Sequence, residues 1–94
     1  MKIYIAGKVT GEKTGDVFVK FNAVEYKLKR KGNTVVNPLR LVSQSWEWNK
    51  CMTVCLAEML QCDAIYLLPD WGDSKGARLE YHIAQELKLM VMTN

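Results

Sequence analysis

Four short apolar runs alternate with three longer amphipathic stretches, and no other feature restricts the fold of this chain as much. The runs are "KIYIAG" (Lys2 to Gly7), "TVVNP" (Thr34 to Pro38), "DAIYLLP" (Asp63 to Pro69) and "LMVMT" (Leu89 to Thr93). Each is too short for a helix with a core face, so each reads as a strand. Between them, apolar residues recur at helical spacing. "DVFVKFNAVEYKLKRKG" puts Val17, Phe18, Phe21, Val24 and Leu28 on one face and stops at Gly32. "WEWNKCMTVCLAEMLQC" does the same with Trp48, Met52, Leu56, Met59 and Leu60. A third helix is expected from Gly76 to Lys88.

Strands that alternate with helices and are apolar throughout predict a parallel sheet covered on both faces. The expected fold is α/β: a single-domain, three-layer Rossmann-like or flavodoxin-like arrangement of about four strands in the order 2-1-3-4. The most apolar run, Asp63 to Leu68, takes the place beside the first strand. All 94 residues fit one domain. A chain of this length buries only roughly 60–65% of its unfolded surface, so a thin core and a homodimer are expected.

Composition removes several classes. No run of about 18 apolar residues is present, so no membrane partner is expected. The opening "MKIYIAGKVTG" has too short an apolar run for a signal peptide, which predicts the cytoplasm. The net charge of +3 suits a small phosphorylated ligand. The basic cluster from Lys27 to Lys31 closes a helix and complements its dipole, so a nucleic-acid polymer is not expected. Cys51, Cys55 and Cys62 make an odd set without a disulfide framework. Cys51 and Cys55 are i, i+4, yet no second CxxC pair or nearby His completes a metal site. They read as buried thiols.

In a doubly wound sheet, ligands bind beyond the carboxyl ends of the strands where the winding reverses. Here "GKVTG" (Gly7 to Gly11) and "PDWGDSKGARLE" (Pro69 to Glu80) meet there, with Asn37 and Pro38 nearby. "GKVTG" is a plain turn, or a phosphate contact made by backbone N–H groups, Lys8 and Thr10. It is neither GxGxxG nor GxxxxGKS. "DSKG" is an N-cap through Asp73 or Ser74, or an anion site at the same helix start. Trp71 lies where it can stack on a base. Trp46 and Trp48 suit a dimer contact or the core. His82 falls on the solvated face of the third helix.

Glu80 is the anomaly. On that helix Leu79, Ile83, Ala84 and Leu87 form one stripe, and Glu80 falls inside it. Burying an unpaired carboxylate is costly, so the position calls for a partner or a function. A residue in the first turns of a helix leaving the crevice faces inward and still meets a pocket. Tyr4, on the face of the first strand that it shares with Ala6, is either core packing or the partner of Glu80.

The pieces "IYIAG", "VVNP", "CDAIYLLPDW" and "DSKGARLEYHIA" together resemble the nucleoside 2-deoxyribosyltransferase-like superfamily over nearly the whole chain. The closest likeness is to its small uncharacterised domains, which are related to the 2′-deoxynucleoside 5′-phosphate N-hydrolases. The resemblance implies that Glu80 attacks the anomeric carbon of a (deoxy)nucleoside or its 5′-monophosphate and holds a glycosyl ester. Water then gives hydrolysis, and a second base gives transfer. It implies Tyr4 as the orienting partner, Asp73 as a candidate acid, and Ser74 and the Lys8–Thr10 loop at the phosphate. Gly7, Asn37, Trp71 and Gly76 complete the expected substrate-binding set. No metal or redox cofactor is implied. One departure stands out: the family has an Asp where this chain has Cys55. A thiol neither supplies charge nor accepts two strong hydrogen bonds. Either Asp73 or Asp63 compensates, or turnover is poor, or the domain binds nucleotides without reacting. A structural or interaction domain is the remaining alternative.

Overall fold

Ile3, Tyr4, Ile5 and Ala6 are all but fully buried, because the strand that holds them has a neighbour on each side and helices on each face. This strand, β1 (Lys2–Ala6), pairs with β2 (Thr34–Val36) and β3 (Ala64–Leu67), and β4 (Met90–Thr93) pairs with the outer side of β3. The order is β2-β1-β3-β4 and every pairing is parallel, as the alternating pattern predicts. The computed structural model describes residues 1–93. Helices α1 (Thr14–Arg30), α2 (Trp48–Met59) and α3 (Lys75–Glu86) make the crossovers, and short 3₁₀ turns occupy Pro38–Arg40 and Trp71–Asp73.

Alternation along the strands sorts the core into two layers. Ile3, Ile5, Ala64, Tyr66 and Leu68 meet Val17, Phe21, Val24 and Leu28 of α1. Tyr4, Ala6, Val36, Ile65 and Leu67 meet Cys55, Met59, Ala77 and Ala84 of α2 and α3. Each fully buried large side chain contributes about 1.5–3 kcal/mol, which together hold the three layers. The first helix ends as expected: Gly32 takes φ +88°, and the Asn33 amide donates to the Leu28 carbonyl. No helix among the described residues is long and apolar enough to cross a membrane.

Four apolar residues expected in the core lie elsewhere. Phe18, Leu60 and Leu87 are 46%, 55% and 53% exposed, and Trp48 also reaches the surface. Leu60 follows the last residue of α2. On α3 the buried face is Ala77, Glu80 and Ala84, while Leu79 and Ile83 are only half-buried. The two alanines let α3 lie close to the sheet, and that rotation brings Glu80 to the centre of the inner face.

Asn37 and Glu25 form a polar joint behind β2. Asn37 is buried; its Oδ1 accepts from the Leu39 amide at 3.0 Å and its Nδ2 donates to Glu25 at 2.9 Å. Arg40 and Lys29 also donate to Glu25, at 3.0 and 2.7 Å. Burial alone raises the Glu25 carboxyl, but the hydrogen bonds from Lys29, Arg40 and Asn37 outweigh it and hold it at about 2.

Candidate functional site

Parallel strands all point their carboxyl ends the same way, so the loops leaving β1, β2 and β3 converge on one end of the sheet. There they enclose a cavity of about 1060 Å³. Tyr4 and Glu80 form part of its wall, with Gly7 to Glu12 on one side and Asp73 to Arg78 on another. The segment from Val42 to Trp46 and the first turns of α2 contribute Trp46, Trp48, Cys51, Met52 and Cys55.

Glu80 is 6% exposed, and the Tyr4 hydroxyl donates to its Oε2. The anomaly in the sequence therefore has a partner as well as a cavity. Burial pushes the Glu80 carboxyl up to about 7, against the opposing pull of the Tyr4 hydrogen bond. Burial and then the Glu80 charge push the Tyr4 hydroxyl well above its usual range. Burial holds the neighbouring Cys55 thiol up at about 11, against the opposing pull of Tyr4. Cys55 of α2, Tyr4 of β1 and Glu80 of α3 are all buried at this wall of the cavity. A buried carboxyl pushed up toward neutrality in the wall of a ligand-sized cavity makes this the candidate functional site.

The start of α3 is built by Ser74, whose Oγ accepts from the Ala77 amide at 3.1 Å while the residue lines the cavity. Capping and cavity contact thus coincide at one side chain. At Gly76 a Cβ would come to 3.0 Å from the Met52 sulfur, which would have to give by a few tenths of an ångström. Gly7 is tighter still: a Cβ would stand 2.4 Å from Leu68 Cδ1. The first loop is tied to the third by Asp70, which accepts from the Lys8 amide at 3.0 Å and from the Lys20 ammonium. Burial raises the Asp70 carboxyl, but the Lys20 and Lys8 hydrogen bonds prevail and the net shift is downward.

Tyr4, Gly7, Lys8, Thr10, Asp73, Ser74, Gly76 and Glu80 all line this one cavity. Asn37 and Trp71 do not. The Asn37 side chain is consumed by the Glu25 joint. The Trp71 ring packs on Tyr81 with centroids 4.6 Å apart. The aromatic wall is instead Trp46 and Trp48, which carry Lys50 and Lys75 over their rings at 4.0 and 4.2 Å. Sequence reasoning also passed over Asp70 and Phe18. One signal was available: in a βα unit the first turn of each helix lies at the carboxyl end of the sheet, which puts the start of α2 at the site. No group of three His, Cys, Asp or Glu side chains among the described residues is placed to hold a metal ion.

The fold and the cavity define a Rossmann-like α/β domain with a buried carboxyl group at the carboxyl ends of its strands. Residues 1–93 match the family described as Domain of unknown function (DUF4406), and the chain belongs to that family. The comparison with curated proteins finds no match.

Proposed function

We propose that the protein is an N-glycosidase or deoxyribosyltransferase acting on a (deoxy)nucleoside or its 5′-monophosphate. The observation that carries this reading is Glu80, buried in the wall of a ligand-sized cavity and held by Tyr4. A carboxylate so placed attacks an anomeric carbon, and the resulting ester is hydrolysed by water or passed to a second base. Tyr4 orients the nucleophile, and Asp73 is the candidate acid toward the leaving base. Ser74, Lys8, Thr10 and the amides of the first loop suit the phosphate end. The resemblance to the nucleoside 2-deoxyribosyltransferase-like superfamily supports the same assignment. Exposed Met90 and Val91 on the edge strand β4 suit a homodimer, which sedimentation would test.

Free-base release tests the reading. The protein is incubated with each deoxynucleoside and its 5′-monophosphate, and products are separated by chromatography. Release that disappears in Glu80→Ala is the expected result, and no release from any substrate overturns the reading. A second reading, a nucleotide-binding module without turnover, draws on Cys55, whose thiol stands on Tyr4 where the resembling enzymes have a carboxylate. Binding of nucleotides without base release would favour it.

A further inference from the structure

The buried part of the cavity holds a nucleophile and no free acid. A purine or pyrimidine base leaves a sugar easily only when its nitrogen or oxygen gains a proton. Tyr4 gives its one hydroxyl proton to Glu80. Cys55 keeps its proton too firmly to serve as an acid near neutrality. Among the described residues, the only other carboxyl groups lining the cavity are Glu12 and the candidate acid Asp73, and both are exposed, so a base seated in the buried part has no buried acid beside it. Trp46 and Trp48 line the same cavity and offer ring faces that suit a cation. The Trp46 and Trp48 rings each already hold an ammonium over one face. Trp48 Nε1 comes to 3.7 Å from the place of a Cβ on Gly76, one helical turn before Glu80. Lys50 and Lys75 are exposed and can swing away from the rings.

We propose that the preferred substrates are N-ribosyl compounds of a pyridinium base, whose leaving group departs without a proton. This inference rests on the glycosidase reading of the same site. The bond between the anomeric carbon and the ring nitrogen breaks, and its electron pair neutralises the pyridinium. A Glu80 carboxylate oxygen bonds to the anomeric carbon. Water then attacks that carbon, the ester's electron pair returns to Glu80 as carboxylate, and the proton of the water goes to solvent. No oxidant, metal or general acid enters the balance.

The test compares release of base by the full chain from two sets of substrates. One set is nicotinamide riboside and its 5′-monophosphate. The other is adenosine, cytidine, their 2′-deoxy forms and all the corresponding 5′-monophosphates. A kcat/KM at least tenfold higher for the pyridinium set, lost in Glu80→Gln, is expected. Equal or faster release from the neutral bases overturns the inference and leaves the glycosidase reading intact. Release of nicotinamide that persists in Glu80→Gln overturns the inference, because the reaction then lies outside this site. No release from either set overturns both.

Discussion

Tyr4 on β1 donates its hydroxyl hydrogen to Glu80 on α3, 76 positions away, and both groups are buried. Tyr4→Phe removes the one hydrogen bond among the described residues that lowers the Glu80 carboxyl. We expect Glu80 to titrate above about 7 in that variant, seen as an upfield-to-downfield carboxyl-carbon shift at higher pH by NMR. Above that pH the orphaned carboxylate costs about 1–3 kcal/mol, measurable by urea unfolding.

Glu80 also sets a pH dependence of stability. Its folded value of about 7 lies above its ordinary 4.5, so the folded state binds the proton more tightly than the unfolded chain. The stabilisation is fully present below about pH 4.5 and is lost as pH rises toward 7, by about 3 kcal/mol. Glu25 acts in the opposite sense, with a folded value of about 2 against 4.5. Its contribution is present above about pH 4.5 and is lost as pH falls toward 2. The exposed ammonium of Lys29 and guanidinium of Arg40 are screened by solvent, so we expect about 1–2 kcal/mol there. Urea midpoints should therefore fall on both sides of a maximum near pH 4.5. Glu80→Gln should flatten the high-pH side and Glu25→Gln the low-pH side.

Base release should follow the ionised form of Glu80. With a pyridinium substrate, which needs no acid, kcat/KM rises as pH passes about 7 and then stays level. A bell-shaped profile would reveal an essential acid.

Ser74→Ala removes the side-chain cap of α3. The expected loss is about 1 kcal/mol, or roughly 4–8 °C in Tm, by thermal unfolding. Affinity for a 5′-monophosphate should fall further than affinity for the nucleoside if Ser74 also meets phosphate.

Gly7→Ala tests the packing of the first loop. The new methyl group meets Leu68 Cδ1 at 2.4 Å and Cβ at 2.9 Å. The Cδ1 atom moves with its rotamer, but the Cβ does not. A loss of about 1–3 kcal/mol in urea unfolding is expected.

Much of the scaffold was legible because periodicity is a local property. The apolar runs, the parallel order and the convergence of "GKVTG" with the start of α3 follow from patterning and from the handedness of crossovers. Glu80 announced itself as a charge inside an apolar stripe, and Tyr4 was one of two readings of its strand. What remained depends on contacts between residues distant in sequence. Asn37 is polar and sits at a strand end, yet Glu25 on another element takes its side chain. Trp71 follows the right strand, but its ring finds Tyr81. Phe18 and Leu87 occupy core positions on a helical wheel and stay exposed, because a wheel carries no information on how far the sheet extends beneath a helix. The rise of the Glu80 carboxyl to about 7 is likewise tertiary: its cause is burial, which only the packed fold supplies. Sequence alone determined which elements form and which end of the sheet gathers the loops. Packing decided which side chains meet there, because burial and hydrogen bonding are properties of neighbours in space.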